Sequence, residues 1–246
     1  MSDVAVVTGA AQGLGQAIAE ALHAAGYRVA VCDINLAGVE AVTRSLDASG
    51  ETAIALPVDI SSKASIESVL ATVTERWGGV QVSVHNAALT PTTPLMQVSA
   101  DEFDRVLSVN LRGTFLCCQV FGAAMAEAGY GRIINMASIA GQMGGTASGV
   151  HYASSKGGIL TMTKVFAREL SPKGVTVNAV APGPLDLPAV HAMVPKEKLD
   201  QVVAAIPVRR LGNPKFVAKI VVELASRDAD CVSGAAWDIN GGLFMR

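Results

Sequence analysis

The sequence is poor in charged and aromatic residues, and it lacks any long run of one charge sign. Of its 246 residues, 16% are charged and 4% are aromatic, and the formal net charge is −2. The longest basic cluster is Arg209-Arg210, whereas a nucleic-acid-binding surface usually carries a basic stripe. We therefore expect no nucleic-acid partner.

Cysteine and histidine are also scarce, and their spacing suits neither cross-links nor metals. No C-x-x-C pair occurs, adjacent cysteines rarely bond each other, and the histidines do not have metal-ligand spacing. The residues concerned are Cys32, Cys117, Cys118 and Cys231, together with His23, His85, His151 and His191. We expect reduced core thiols in a cytoplasmic protein and no structural metal.

The sequence also shows no export signal and no membrane-spanning run. The first residues, Met1-Ser2-Asp3, lead directly into a β-like run, so the sequence predicts no signal peptide. No stretch reaches the ~18 uninterrupted apolar residues of a membrane span. We expect no membrane partner.

Apolar residues, in contrast, make up half of the chain. Because a typical domain has roughly 25% charged residues, the shortage of charge predicts that part of the surface is covered. We interpret this as a homo-oligomer. The alternative is an enzyme that is simply rich in alanine.

Short β-branched runs alternate with longer segments that have helical apolar spacing. The runs lie at 4–8, 28–32, 52–58, 80–85, 132–137, 175–180 and 235–239, and the helical segments at 14–25, 36–48, 62–76, 100–128, 153–170 and 214–226. This alternation predicts crossover connections and a parallel sheet. The runs are nearly all apolar, as in strands covered on both faces. No linker divides the chain, so we expect a single domain over 1–246.

Two regions depart from this rhythm. Segment 100–128 contains Gly113 and Gly122, so it could form two helices. We favour one long helix whose small residues allow close packing. The prolines of the excursion at about 184–212 predict a lid over the sheet.

The first strand ends in a glycine-rich turn, "TGAAQGLG" at 8–15. Glycine permits positive φ and a close approach of backbone to a ligand. The helix that begins here would direct its free N–H groups at an anion such as a pyrophosphate. A tight turn alone would use the same residues, but the position after the first strand favours a dinucleotide.

Asp33 ends the second strand, eighteen residues beyond Gly15. Its carboxylate is placed to accept hydrogen bonds from the adenosine ribose hydroxyls and to repel a 2′-phosphate. Ile34, Asn35 and Leu36 follow, so no arginine is at hand to bind that phosphate. This favours NAD over NADP. Asp33 or Asn35 could also cap the following helix.

From about residue 3 to 242 the chain resembles the short-chain dehydrogenase/reductase family. The matching segments, in order, are "TGAAQGLG" at 8–15, "VDI" at 58–60, "HNAAL" at 85–89, "SVNLRGTF" at 108–115, "INMASIAG" at 134–141, "YASSK" at 152–156, "VNAVAPGP" at 177–184 and "DINGG" at 238–242. The resemblance implies a Rossmann-type, doubly wound parallel sheet of seven strands with helices on both faces. It also implies a homotetramer in which helices 100–128 and 153–170 pair with copies of themselves.

The resemblance also implies the catalytic residues. Tyr152 would be the general acid in ketone reduction and the base in alcohol oxidation. Lys156, on the same helix face, would lower the pKa of the phenol from about 10 and bind the nicotinamide ribose. Ser138 would polarise the carbonyl, and Asn110 would position a water that links Lys156 to solvent. The implied cofactor contacts are Gly9, Gln12, Gly13, Leu14, Gly15, Asp33, Ile34, Asp59, Ile60, Asn86, Ala87, Ala88, Tyr152, Lys156, Pro182, Gly183 and Leu185.

Three positions depart from the family pattern. His85 and Ala88 replace the first asparagine and the glycine of N-N-A-G, and Ala88 would be strained by roughly 1 kcal/mol if its φ were positive. Leu187 stands where a threonine often binds the carboxamide, although the backbone of Leu185 remains able to hold it. One residue is inserted between Ser138 and Tyr152, in the loop "GQMGGTASGVH" at 141–151. Candidate substrate contacts are Thr90, Gln142, Met143 and His151.

The sequence thus predicts an NAD(H)-dependent oxidoreductase that interconverts a secondary alcohol and a ketone. A 3-oxoacyl-thioester reductase acting on an acyl carrier protein or coenzyme A substrate is the alternative within the family. A dinucleotide-binding sensor or scaffold without turnover is the alternative from another class.

Overall fold

Seven strands form one parallel sheet in the computed structural model of the chain, which describes residues 2–145 and 149–246. They are β1 (Val4–Thr8), β2 (Arg28–Asp33), β3 (Ala53–Pro57), β4 (Val82–His85), β5 (Gly131–Met136), β6 (Val175–Pro182) and β7 (Ala236–Ile239). The spatial order is β3-β2-β1-β4-β5-β6-β7. The chain therefore winds outward from β1, returns, and winds out the other way from β4. This confirms the doubly wound α/β fold and places a crevice at the carboxyl ends of β1 and β4.

Helices cover both faces of this sheet. They are α1 (Gly13–Ala24), α2 (Leu36–Leu46), α3 (Lys63–Trp77), α4 (Ala100–Leu107), α5 (Gly113–Ala128), α6 (Ala140–Met143), α7 (Val150–Leu170), α8 (Pro188–Met193), α9 (Lys196–Ala205) and α10 (Pro214–Ala225). One core cluster joins α1 and α10 to the sheet, with Ile18, Leu22 and Val221. A second lies under α3, α5 and α7 and includes Ile66 and Phe121. Strands buried on both faces need apolar side chains at every position, which explains the near-continuous apolar runs.

Residues 100–128 form one helical stretch, as the favoured prediction has it, but with a π-helical segment at Ser108–Arg112 between α4 and α5. It is 29 residues long, and its 18-residue apolar window has a mean hydropathy of 1.3, which would suffice for a membrane crossing, yet half of that window is buried inside this domain. Small residues allow the close packing: a Cβ on Gly113 would lie 2.8 Å from Ile60 Cδ1. The stretch is a core helix of the fold.

The excursion between β6 and α10 contains the two short helices α8 and α9. A single parallel bridge between Leu185 and Gly212 ties its two ends together. Ile206, near its far end, is 1% exposed and anchors it to the domain. The predicted role of this excursion as a lid stays a prediction.

All four cysteines are free thiols, and three of them are buried in the core. Burial raises the pKa of Cys118 to about 12, so that thiol is chemically inert at neutral pH. Within residues 2–145 and 149–246, no cluster of three or more histidine, cysteine or acidic residues could hold a metal ion.

Candidate active site

A cleft of about 960 Å³ opens at the carboxyl ends of the strands. It is lined by most of the residues that the sequence motifs single out. These are Gly9, Gln12, Gly13, Leu14, Asp33, Ile34, Asp59, Ile60, Asn86, Ala87, Ala88, Thr90, Ser138, Tyr152, Lys156, Pro182, Gly183 and Leu185. They converge because the carboxyl ends of parallel strands share one edge of the sheet.

The glycine-rich turn is packed directly onto the end of β4. The Thr8 hydroxyl accepts hydrogen bonds from the backbone N–H groups of Asn86 (3.1 Å) and Ala87 (3.3 Å). The Asn86 amide donates to the carbonyl of Gly9 at 2.9 Å. Gly9 has φ +67°, and a Cβ there would lie 2.6 Å from Ala87 Cα. Only glycine fits this crossing of two backbone segments.

Gly15 lies behind the turn and lets α1 begin against it. A Cβ on Gly15 would lie 2.1 Å from the carbonyl oxygen of Gly9. The N-cap residue of α1, Gln12, makes no side-chain cap in the described part of the chain, and the first turn carries no acidic residue. The N–H groups and the positive end of the dipole therefore face the cleft, ready for an anion.

This packing predicts a large effect for Gly15→Ala. The added methyl group must displace the turn, and overpacking of about 1–3 kcal/mol corresponds to NADH binding weakened by about 5- to 150-fold. Gly26→Ala, at the other end of α1 and outside the cleft lining, is the control, because a Cβ at Gly26 meets nothing within 4 Å and only the positive φ of +91° is unfavourable. Fluorescence titration with NADH measures both dissociation constants. Equal affinities for the two variants would contradict the packing argument.

Asp33 projects from the end of β2 into the cleft. Its carboxylate accepts hydrogen bonds from the backbone N–H groups of Ala11 (3.2 Å) and Asn35 (3.0 Å). Asn35, rather than Asp33, caps α2, since its side chain accepts a hydrogen bond from Gly38 N at 3.1 Å. Of the two residues that could cap α2, Asn35 does so, and the Asp33 carboxylate remains at the cleft wall.

The two replacements in the N-N-A-G segment are accommodated without strain at the cleft. Arg209 is the one non-glycine residue with positive φ in the described ranges, so Ala88 takes an ordinary conformation. The His85 ring points into the core, where its Nδ1 lies 2.8 Å from Asn135 Oδ1 and the ring stacks on Phe121. Burial lowers the pKa of His85 to about 4, so the ring is neutral.

Tyr152, Lys156 and Ser138 form the polar centre of the cleft. Tyr152 lies in the first turn of α7, and Lys156 follows one turn later, with its Nζ 5.5 Å from the centre of the tyrosine ring. The Lys156 ammonium is buried and donates to the carbonyl of Met136 at 2.6 Å. Ser138, just after β5, lines the cleft together with Tyr152, and its hydroxyl is close enough to the Tyr152 phenol to lower the pKa of that phenol.

The ionisation of this centre differs from the expectation. Burial raises the pKa of Tyr152, and the hydrogen bond from Ser138 lowers it only in part, so the phenol is neutral at pH 7. Burial also lowers the pKa of Lys156, to about 8. Loss of water around the ring is the largest influence on the pKa of the phenol, and the expected drop from Lys156 is not seen.

The buried ammonium gives a pH prediction for stability. The pKa of Lys156 is about 8 in the fold and 10.5 in the free side chain, so the charged form favours the unfolded state by about 3 kcal/mol. This penalty is complete below pH 8 and is relieved as the pH rises from 8 to 10.5. The free energy of unfolding of wild type should therefore rise relative to that of Lys156→Met between pH 7 and 9.5 in urea titrations. A constant difference between the two proteins would contradict it.

Asn110 lies behind the cleft wall, in the π-helical segment. Its side-chain amide accepts a hydrogen bond from Leu89 N (2.8 Å) and donates to Leu89 O (2.9 Å) and Ser155 Oγ (3.2 Å). Its backbone carbonyl accepts from the Thr114 hydroxyl at 2.7 Å. The side chain thus holds the segment after β4 against α7.

Three candidate substrate residues lie outside the cleft lining. Gln142 donates to Asp238 Oδ1 at 2.6 Å, Met143 is 51% exposed at the end of α6, and His151 is fully buried against Glu102. Part of their loop, residues 146–148, lies outside the described residues. Only Thr90 of that group lines the cleft.

The cleft also contains residues that the sequence analysis missed. Arg105, Ser108 and Val109 reach it from α4 and the π-helical segment. Leu187, already singled out at the position of the family's threonine, also lines the cleft. The first three lie within five positions of Asn110, so one turn of the same helix was the available signal.

Comparison with known proteins agrees with this geometry. A family model described as Enoyl-(Acyl carrier protein) reductase matches residues 9–244. A short-chain dehydrogenase/reductase of Hericium erinaceus is 38% identical over 244 residues, which cover 97% of this chain and 96% of that protein. A 3-oxoacyl-(acyl-carrier-protein) reductase of Staphylococcus epidermidis is 36% identical over the full length of both chains. An acetoacetyl-CoA reductase of Rhizobium meliloti is 37% identical, again over both full lengths.

The fold, the order of the motifs and these relatives define an oxidoreductase that acts on alcohol and carbonyl groups. The chain belongs to the short-chain dehydrogenase/reductase family.

Proposed function

We propose that the protein is an NAD(H)-dependent enzyme that interconverts a secondary alcohol and a ketone, with Tyr152 as general acid and base. The observation that carries this proposal is that Tyr152 lines one cleft with Ser138 and lies one helical turn from the buried Lys156. This group lies in the same cleft as the glycine-rich turn and Asp33. Proton transfer and dinucleotide binding therefore share one site.

The residues present fit a nicotinamide dinucleotide. The turn at Gly9 and the uncapped N–H groups at the start of α1 would hold the pyrophosphate, and Asp33 would hold the adenosine ribose. Asp59 and Ile60 would contact the adenine, while Asn86 to Ala88 and Lys156 would contact the remaining sugar and ring. The backbone of Pro182, Gly183 and Leu185 would meet the carboxamide. When bound, the nicotinamide supplies or accepts the hydride.

The proton chemistry belongs to the chain itself. In ketone reduction Ser138 donates a hydrogen bond to the carbonyl oxygen, and Tyr152 O–H gives that oxygen its proton. Burial keeps the phenol protonated at pH 7, as an acid must be before the reaction. The phenolate that remains is stabilised by the Lys156 ammonium at the next turn. Alcohol oxidation uses the same contacts in reverse.

The preference for NAD rests on charge at the ribose end of the cleft. The Asp33 carboxylate would face a 2′-phosphate there and repel it. Among the described residues that line the cleft, the basic ones are Lys156, beside Tyr152, and Arg105, on α4. Ile34, next to Asp33, is 77% exposed and brings no charge.

A 3-oxoacyl-thioester reductase is the second candidate. Relatives named for 3-oxoacyl-(acyl-carrier-protein) and acetoacetyl-CoA reduction align over both full lengths. Arg105 supports it from the site, because an exposed cation in the cleft lining could meet the phosphates of an acyl carrier. A relative named sorbitol dehydrogenase, from Cereibacter sphaeroides, is 34% identical. Free alcohols therefore stay among the candidate substrates.

NADH consumption with acetoacetyl thioester and with simple aryl and alkyl ketones decides between these substrates. Tyr152→Phe serves as the blank in every assay. Turnover confined to free ketones is the expected result for a secondary-alcohol dehydrogenase. Turnover concentrated on the thioester, and lost in Arg105→Ala, would favour a 3-oxoacyl-thioester reductase. Absence of Tyr152-dependent turnover on every carbonyl and on the matching alcohols would contradict the proposal.

We also propose a cytoplasmic homotetramer. A second surface groove is lined by residues of α4, α5 and α7, including Leu111, Phe115 and Met162. Phe115 and Val165 are 39% and 58% exposed. A second copy of the same helices would cover these side chains. Light scattering should give four times the 25.3 kDa mass of the chain, and a monomeric mass would refute this arrangement.

A further inference from the structure

His151 lies in the first turn of α7, immediately before Tyr152. Its side chain is fully buried and faces α4. Its Nε2 lies 2.9 Å from Glu102 Oε1 on α4. Its Nδ1 lies 2.8 Å from the backbone nitrogen of Tyr152. Both nitrogens of the ring are therefore engaged, one across to α4 and one at the start of the helix that carries Tyr152.

These two contacts fix the protonation state of the ring. A backbone N–H can only donate, so Nδ1 must carry a lone pair. The single ring proton is then on Nε2, which donates it to Glu102. The hydrogen bond from His151, with a further one from Thr93, holds the pKa of Glu102 below its usual range, so the acceptor is a carboxylate. The ring is neutral and in one tautomer.

The contact to Tyr152 N–H also supplies what the helix start lacks. The first N–H groups of a helix have no acceptor within the helix, and a polar side chain at the N-cap usually provides one. The N-cap of α7 is Gly149, which has no side chain to offer. His151, from inside the first turn, accepts from the N–H of Tyr152 instead.

Gly149 and the His151 ring are fitted to each other. A Cβ on Gly149 would lie 2.2 Å from His151 Cε1. The φ of −62° and ψ of 159° at Gly149 are open to any residue. The ring, and not the backbone, therefore requires glycine at this position.

We propose that His151 is a positioning residue that fixes the start of α7 and, with it, the place of the Tyr152 phenol opposite Ser138. The chain of contacts runs from Glu102 through His151 to the N–H of Tyr152. The part of this inference that concerns turnover rests on the proposed role of Tyr152, whereas the helix cap does not. The two parts need separate readouts.

Three substitutions of His151 separate its two contacts. His151→Asn keeps an acceptor near Nδ1, His151→Gln keeps a donor that reaches Glu102, and His151→Leu keeps neither. Val150→Ala, in the same turn, is the control. Hydrogen exchange of the peptide that contains the Tyr152 amide reports the cap without any turnover. NADH titration and kcat with the best carbonyl substrate report the consequence for the site.

Faster exchange is expected in the Leu and Gln variants, with near wild-type exchange in the Asn variant and in Val150→Ala. The kcat values should follow the same order, with a loss of about tenfold or more in the Leu variant, while the Kd for NADH stays within twofold. Gly149→Ala, which displaces the ring, should behave like His151→Leu even if the latter folds poorly.

Unchanged exchange in the Leu variant would overturn the cap. Rescue by Gln but not by Asn would overturn the assignment to Nδ1. Altered exchange with unaltered kcat in an active enzyme would overturn the positioning role. A wild type without Tyr152-dependent turnover would refute the proposed function and the positioning role with it, while the exchange data would still decide the cap.

Discussion

Tyr152→Phe should lower kcat by about 1,000-fold while leaving the dissociation constant for NADH within twofold of wild type. The substitution removes the phenolic hydroxyl, whose pKa the Ser138 hydroxyl lowers, and keeps the aromatic ring near Lys156. Binding survives because the glycine-rich turn and Asp33 lie at other parts of the cleft wall. Steady-state kinetics and a fluorescence titration measure the two quantities on the same preparation.

The chain offers a matched control in Tyr27→Phe. The Tyr27 hydroxyl donates to the carbonyl of Ala225 at 3.0 Å, at the end of α10 and away from the cleft lining. This variant loses a partly buried hydroxyl of the same kind and should keep full kcat. Comparable activity in the two variants would show that the Tyr152 hydroxyl is not the acid–base group.

Asp33→Asn should raise the NADPH-to-NADH ratio of kcat/KM by about 100-fold or more. A carboxylate and a phosphate a few ångströms apart near a protein surface repel by about 4 kcal/mol, and the neutral amide removes that repulsion. Asparagine can still accept a hydrogen bond from Ala11 N, so the turn beside β2 stays in place. Kinetics with both dinucleotides give the ratio directly.

Asp59→Asn makes the same change of charge at another point of the cleft wall and should leave the ratio unchanged. A wild type that already prefers NADPH would contradict the assignment of Asp33 as the selecting residue. So would a ratio in Asp33→Asn that moves no further than in Asp59→Asn.

The strands could be predicted to within two residues because each is a short apolar run bounded by turn residues, and the sheet buries both faces. Helix α7 begins at Val150 rather than at 153, since its start depends on the contact between His151 and Tyr152 N–H. The π-helical segment could not be predicted at all. It surrounds Asn110, whose amide pairs with Leu89, 21 residues away in the sequence.

The residues of the candidate site also divide into those that the local sequence predicts and those that distant contacts place. Residues at or just beyond the carboxyl ends of strands, such as Asp33, Asn86 and Ser138, come together because the parallel topology alone brings their positions to one edge. Residues placed by helix packing, such as Arg105, were missed. The path of the loop after Ser138 is also set by distant contacts. Gln142 turns toward Asp238 and away from the cleft, which no local pattern indicates.

The central claim is that hydride and proton are exchanged with a carbonyl carbon and oxygen in this cleft, under control of Tyr152. The most direct measurement is mass spectrometry of the alcohol formed from a ketone or 3-oxoacyl thioester with NADH deuterated at both C4 positions. The account predicts one deuterium on the carbinol carbon with wild type and with Tyr27→Phe, and no product with Tyr152→Phe. Alcohol without deuterium, or equal product from Tyr152→Phe, would contradict it.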